Sequence, residues 1–221
     1  MLYLDHYPTI SGASVDLVEW VPGMNLNELE TSLDPIALFR MWLKDAEAVE
    51  PNDPNAVALA TATADGAPSV RMVLMKGLDE RGFAFYTNSE SQKGVELAEN
   101  PRAAMCFHWK SLLRQVRVEG TVTGLPAAEA DEYFHSRSRG SQLAAAVSRQ
   151  SRVLESRELL EEMVRSCAAR YPGEVPRPDW WKGYVLWPER VEFWVNGVDR
   201  LHDRLLFVRG EDGWVKSRLF P

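Results

Sequence analysis

The stretch Val191–Arg204 reads V-E-F-W-V-N-G-V-D-R-L-H-D-R and brings two guanidiniums and an imidazole close together near its end. Asn196-Gly197 stands between two strand-like segments, which predicts a hairpin because both residues tolerate positive φ. On the return strand, a side-chain period of two places Arg200, His202 and Arg204 on one face, with Leu201 and Asp203 on the other. Two guanidiniums flanking an imidazole suit a site that grips an anion or a heteroaromatic ring. The alternative is an exposed edge strand with ordinary charges.

Three further groups have the chemistry of an anion site. In R-M-V-L-M-K, Arg71, Val73 and Met75 share one strand face and Met72, Leu74 and Lys76 the other, so a cation closes each end of an apolar strand. Ser89–Lys93 falls at a helix start, where free N–H groups, the dipole and Lys93 favour a phosphate, although plain capping explains the same pattern. In Y-F-H-S-R-S-R-G-S, Tyr133, Arg137 and Ser141 lie four apart. One continuous helix would gather phenol, guanidinium and hydroxyl on one face, and Gly140 puts that continuity in question. His135, or Cys106 with His108, lacks the spacing of a closed ligand set, so no metal site is expected. Glu155, Glu158, Glu161 and Glu162 read as a solvated helix face. P-loop, G-x-G-x-x-G and G-x-S-x-G patterns are absent from the sequence.

The elements that must position these groups follow from periodicity and punctuation. Residues 1–30 show no period and read as a partly ordered arm. Asp34-Pro35 opens a helix whose Leu38, Phe39, Trp42, Leu43 and Ala46 form an apolar face. Strands are expected over 56–63, 69–76, 83–87, 103–109 and 114–123, with a turn region at 77–82. Ser89 and Gln92 are expected to form a capping box for a helix that runs through Glu99. Residues 126–170 read as helical, with pieces at 141–147 and 154–169. Strands at 181–187, 191–195, 199–208 and 214–219 complete the sheet. Strands at both ends and helices between them predict a single, mainly β domain over 31–221, a β-barrel decorated by helices.

Composition narrows the function classes. A chain of 221 residues, 45% hydrophobic and 26% charged, supports a full core. A net charge of −7 argues against general nucleic-acid binding. Two distant cysteines without C-x-x-C fit a reducing, cytoplasmic setting. The first residues lack the pattern of a signal peptide, and no apolar run reaches the length of a spanning helix.

Taken together the motifs resemble the pyridoxine/pyridoxamine 5′-phosphate oxidases, FMN enzymes with a split β-barrel fold. The resemblance runs from about Ser32 to Pro221. It rests on S-L-D-P, R-M-V-L-M-K, F-Y-T-N, Q-K-G-x-E-L-x-x-N-P, R-Q-V-x-V-x-G, Y-F-H-S-R-x-R-x-S-Q, S-R-Q-S, G-E-V-P-x-P and, most specifically, V-E-F-W-x-x-G-x-x-R-L-H-D-R. It implies that the strand Arg71, Met72, Val73, Leu74, Met75 and Lys76 lines the flavin, with Arg71 near its phosphate. Tyr86, Thr87, Gln92 and Lys93 match further cofactor contacts, and Gln115 a hydrogen bond to the isoalloxazine. Gln150 and Ser151 match another cofactor-binding pair, and Trp194 and Arg204 close that site. Lys76, Tyr133, Arg137 and Ser141 match a cup for the substrate phosphate. Arg200 and His202 match the catalytic pair over the substrate ring. The implied reaction is hydride transfer from substrate C4′ to flavin, with O2 reduced to hydrogen peroxide, in a homodimer whose sites draw on both chains.

Departures from the family pattern are Gln92 where many members have arginine, Val195 where a polar residue is usual, and no recognisable basic, tyrosine-containing arm in residues 1–30. The alternatives are a phenazine-type flavin oxidase, which shares the barrel and lacks the phosphate cup, and a non-catalytic flavin- or pyridoxal-phosphate-binding module.

Overall fold

The computed structural model describes residues 34–221; the expected arm over residues 1–30 lies outside them. The first helix, α1 (Pro35–Val49), begins as its sequence predicts. Asp34 Oδ1 accepts the Ile36 N–H at 2.8 Å and Pro35 occupies the first turn. Its apolar stripe buries Leu38, Phe39, Trp42 and Ala46. Phe39 meets Phe83 and Phe107 edge-on at 4.9 and 4.8 Å, and Trp42 meets Phe193 at 5.0 Å. These aromatic contacts fix the helix against the sheet and define the main core.

Among the described residues nine strands form one sheet: β1 (Ala56–Ala62), β2 (Pro68–Leu74), β3 (Gly77–Asp79), β4 (Gly82–Asn88), β5 (Arg102–Trp109), β6 (Arg114–Gly124), β7 (Trp181–Val195), β8 (Asp203–Gly210) and β9 (Gly213–Leu219). The order is β2-β1-β5-β6-β7-β4-β3, all antiparallel, with β8 and β9 added along the far half of β7. β2 approaches β4 without pairing to it, so the sheet curls towards closure and stays open along that line. This is the expected mainly β split barrel, and its split becomes the mouth of the site. The region 77–82, expected as a turn, contains the short strand β3, which pairs with β4.

The two expected strands 181–187 and 191–195 are one strand. β7 runs through Pro188 and Glu189 because the register against β6 slips there: Glu119 faces Arg190 and Gly120 faces Pro188. The bulge places the prolyl nitrogen, which cannot donate, where a ladder bond is not required. A Cβ on Gly120 would stand 1.9 Å from Trp187 O, so glycine permits this close crossing.

The helices α2 (Gln92–Glu99), α3 (Ala127–Ser136), α4 (Arg139–Val147) and α5 (Arg157–Arg170) decorate the sheet. Ser89 is not the cap of α2. Ser91 occupies that position without a side-chain capping bond, and the Gln92 N–H donates instead to Ser151 Oγ at 3.1 Å. A residue remote in sequence thus satisfies the helix start, which local spacing cannot reveal. Tyr133, Arg137 and Ser141 do not share one helix face either. α3 ends at Ser136, Arg137 is extended (φ −75, ψ 155), and Ser138 caps a new helix by accepting the Ser141 N–H. α3 and α4 pack Ala130, Phe134 and Leu143 with Val175 and Trp181 into a second apolar cluster. The acidic residues of α5 stay on an exposed face, where Glu161 and Glu162 pair with Arg157 and Arg165.

The segment after β7 corrects the opening expectation. β7 and β8 do form an antiparallel hairpin, with Val195 facing Asp203. Their connection is not a tight Asn-Gly turn. Gly197 has φ −114, and a short 3-10 turn spans Val198–Arg200. Asp199 and Arg200 adopt φ 53 and 64. Arg200 therefore sits in an exposed turn, His202 at its exit and Arg204 on β8, rather than on three alternating positions of one strand.

Candidate active site

The open line between β2 and β4 holds a cavity of about 470 Å³. β2 supplies Met72, Val73 and Leu74, and Lys76 follows two residues beyond it; β4 supplies Tyr86 and Thr87; α2 supplies Lys93. The α3–α4 junction supplies Tyr133, Arg137, Ser138 and Ser141, and Gln150 and Trp181 complete the lining. Three cations and several hydroxyls face it, and none of its lining side chains is a carboxylate. The volume lies in the range of small-molecule sites.

Two anion-binding regions can be distinguished within it. In the first, Lys93 Nζ donates to Gln150 Oε1 at 2.8 Å and lies 3.3 Å from both Thr87 Oγ1 and Ser91 Oγ. Burial pulls the Lys93 ammonium down to about 8; the nearby Arg71 adds to this and Glu96 opposes it. An amine in that state gains from an incoming anion. In the second, the Arg137 guanidinium lies over the Trp181 ring, 5.2 Å from its centroid. Arg137 Nη1 is buried and has no hydrogen-bond partner. Burial lowers the Arg137 pKa as well. A buried, orphaned guanidinium nitrogen costs free energy until an acceptor reaches it. Ser138 and Ser141 hydroxyls lie 2.9 Å apart beside it. Tyr86, Tyr133 and Trp181 form a cluster of nearly parallel rings, with centroids 4.1 Å apart for Tyr86–Tyr133, 5.3 Å for Tyr86–Trp181 and 6.0 Å for Tyr133–Trp181.

Arg71 does not line the cavity. Its guanidinium donates to Thr61, Ser69 and the Leu59 carbonyl, and pairs with Glu96 at 3.4 Å. Gln92 also turns to this carboxylate, with Nε2 at 2.9 Å from Glu96 Oε1. Burial pushes the Glu96 carboxyl up, but hydrogen bonds from Ser69, Thr61 and Gln92, with Arg71 nearby, outweigh it and hold the group at about 2. The Met75 side chain is buried in the core, away from the cavity. Ser151 borders the site only through its bond to the α2 start.

A second constellation gathers at the far half of β7, apart from this cavity. Gln115 faces Trp194 across β6 and β7, and Trp194 faces Arg204 across β7 and β8. The His202 ring lies 4.6 Å from the Trp194 ring. Arg204 is fixed by Glu192, Nε to Oε1 at 2.8 Å, and this bond raises its pKa. Glu192 is buried and also takes Arg117 at 3.3 Å. Within one chain, Gln115, Trp194, Arg200, His202 and Arg204 do not line the cavity that holds Lys76, Tyr133, Arg137 and Ser141. Val195, the departure after F-W, is a buried residue of β7.

Sequence reasoning missed Trp181, Ser138, Glu96 and Glu192. Ser138 had a signal, since a serine just ahead of the apolar run that begins at Leu143 is an N-cap candidate. Gln92 and Glu96 stand four apart on one helix, which was a second signal. Trp181 had none, because a tryptophan at a strand start reads as core. Among the described residues no group of three or more His, Cys, Asp or Glu side chains is placed to hold a metal ion. No helix among them is long and apolar enough to cross a membrane.

The residues fit FMN on their own chemistry. Lys93 and the adjoining hydroxyls suit a phosphate, and β2 turns the exposed Met72 and Leu74 towards any flat apolar ring. Comparisons with known proteins agree. Residues 43–180 match the family model described as pyridoxamine 5′-phosphate oxidase. Residues 181–221 match the pyridoxine 5′-phosphate oxidase C-terminal dimerisation region. The chain is 59% identical over 189 residues to the pyridoxine/pyridoxamine 5′-phosphate oxidase of Anaeromyxobacter dehalogenans, covering 85% of this chain and 96% of the relative. It is 55% identical over 194 residues to that of Gluconobacter oxydans, covering 87% and 97%. Among solved structures, PhzG from Burkholderia lata, in complex with tetrahydrophenazine-1-carboxylic acid, superposes with a TM-score of 0.85 at 34% identity, covering 91% of this chain and 99% of that one. The aromatic cluster, the cationic cavity and the strand motifs thus have one common explanation: this chain belongs to the pyridoxine/pyridoxamine 5′-phosphate oxidase family.

Proposed function

We propose that the chain oxidises pyridoxine 5′-phosphate and pyridoxamine 5′-phosphate to pyridoxal 5′-phosphate with FMN, as a homodimer. Residues 31–221 act as one domain. The observation that carries this reading is the orphaned Arg137 nitrogen in a cavity lined by Lys76, Tyr133 and Ser141. A dianionic phosphate satisfies it with charge-assisted bonds, while the stacked Tyr133 ring closes the side of the cup. Lys93, Gln150 and Thr87 hold the cofactor phosphate, and the β2 strand supports the ring system. FMN held by these residues would supply the redox chemistry: it would take a hydride from substrate C4′ as the substrate's hydroxyl or amine proton is released, and those two electrons with two protons would reduce O2 to hydrogen peroxide.

The chain's own residues bind, orient and exclude water. Lys76 and Arg137 anchor the substrate tail, which fixes the ring relative to the cofactor. Arg200 stabilises charge on the substrate ring and His202 makes a polar contact to its phenolic oxygen. Since these two stand apart from the cup in one chain, each site takes them from the partner subunit. The matched dimerisation region, which contains both, supports this arrangement. So does the uncovered apolar row Val70, Met72 and Leu74 on β2. With the amine substrate, water hydrolyses the resulting imine and ammonia leaves. Two free cysteines fit a cytoplasmic enzyme.

The phenazine-type alternative draws on the PhzG likeness. The phosphate cup and the higher identity to the vitamin oxidases favour the phosphorylated vitamers. A non-catalytic module would leave Arg200 and His202 without purpose. Oxygen uptake by the purified yellow protein decides among them. The expected result is uptake with both phosphorylated vitamers and little with their dephosphorylated forms; yellow protein inert to both vitamers would overturn the proposal.

A further inference from the structure

The loop between β7 and β8 contains a contact that fixes a proton. The Gly197 backbone N–H donates to His202 Nδ1 at 3.1 Å. A backbone amide nitrogen has a hydrogen to give and no lone pair to offer, so Nδ1 is the bare nitrogen of the ring. The neutral imidazole then carries its hydrogen on Nε2. The loop is built to hold this arrangement. His202 N–H donates to Arg200 O at 2.9 Å, and Leu201 N–H to Val198 O at 3.0 Å. Asp199 and Arg200 take left-handed backbone conformations, which cost free energy in non-glycine residues and need surrounding contacts to persist. A Cβ on Gly197 would stand 1.9 Å from Leu201 O, so the amide reaches the ring only because the residue is glycine. The Trp194 ring supports the imidazole from the side. A half-turn of the imidazole would set a C–H against the amide and forfeit the bond.

We infer that Gly197 is a positioning residue that fixes His202 as an Nε2–H donor, so that His202 grips the substrate's phenolic oxygen by donating to it and does not serve as a general base. The inference rests on the oxidase reading for the identity of the acceptor, and on the loop alone for the position of the proton. A base at this place needs a bare Nε2, which the Gly197 clasp denies.

The test has two arms. Nitrogen-15 NMR of the histidine-labelled holoenzyme without substrate reads the tautomer directly. The sequence has 4 histidines, and comparison with His202→Gln assigns the signal. A protonated Nε2 and bare Nδ1 are expected; a protonated Nδ1 with bare Nε2 overturns the inference. In the second arm, the Gln amide of His202→Gln can reach the Nε2 position, whereas the Asn amide of His202→Asn reaches that of Nδ1. With FMN content measured for both, His202→Gln is expected to keep about tenfold more kcat/KM than His202→Asn, the worth of one retained hydrogen bond. It should also keep both limbs of the wild-type pH profile. An equal collapse of kcat in both variants, by about 10²–10⁴, with loss of one limb, identifies a base and overturns the inference. Wild-type protein inactive on both vitamers counts against the oxidase reading alone, and the NMR result still decides the role of Gly197.

Discussion

Glu96 on α2 reaches across to Arg71 on β2, carboxylate to guanidinium at 3.4 Å, and so ties together the helix and the strand that line the cavity. The carboxylate is almost fully buried. It also accepts hydrogen bonds from Thr61, Ser69 and Gln92. A buried charge with this many partners is stabilising only while it stays ionised.

The first prediction is acid sensitivity at this residue. The folded pKa of Glu96 is depressed to about 2 from an ordinary 4.5. Its contribution is therefore complete above 4.5 and is lost as pH falls through that window towards 2. Urea midpoints followed against pH should fall more steeply for wild type than for Glu96→Gln in this range. Parallel curves would show that Glu96 gains nothing from ionisation.

Lys93 gives the same slope in a higher pH window, because a penalty on its charged form is relieved there. Its folded pKa is held at about 8, below the ordinary 10.5, so the apo protein binds fewer protons there than the unfolded chain. Apo stability from this group rises between pH 8 and 10.5. FMN affinity moves the other way, because the phosphate needs the charged amine. The FMN Kd should climb above pH 8 by up to about tenfold per unit, and Lys93→Met should flatten the rise. A wild-type Kd that is flat through that range contradicts the assignment.

The proposed function assigns Arg137 to the substrate cup rather than to the cofactor grip. Arg137→Ala should raise KM for phosphorylated vitamers by about 10- to 100-fold, the worth of a charge-assisted bond. Its FMN content should match wild type. Loss of FMN with unchanged KM would move Arg137 to the cofactor.

Phe39 sits fully buried between Phe83 and Phe107. Phe39→Ala should cost about 3–5 kcal/mol, as large-to-small changes in packed cores do. Equilibrium urea denaturation measures it, and a loss below about 1 kcal/mol would mean that α1 is not anchored there.

The fold was legible where local chemistry decides the outcome. The Asp34-Pro35 start, the α1 stripe and most strands follow from capping and periodicity alone. Tyr133, Arg137 and Ser141 are legible as a group from their spacing, and Lys76 joins them only through the family resemblance. The three meet because Ser138 breaks the helix and restarts it, whereas their spacing suggests one shared face. The cap of α2 was misread because its acceptor, Ser151, is distant in sequence. Arg200 was placed on a strand because nothing local marks Asp199 and Arg200 for positive φ; the loop's own hydrogen bonds impose it. Trp181 escaped notice because stacking partners are set by packing between elements, which a one-dimensional period does not carry.

Subunit mixing reaches the centre of the account, which places the phosphate cup and the Arg200–His202 pair of each site on different chains. Arg137→Ala and Arg200→Leu proteins are unfolded together, refolded and assayed by oxygen uptake at substrate well below the KM of Arg137→Ala, where each alone is nearly inactive. In a mixed dimer one site inherits both lesions and the other neither, so random pairing should restore about a quarter of wild-type activity. Activity no higher than the mean of the two parents, in a sample shown to contain mixed dimers, would place cup and ring contacts on the same chain and contradict the account.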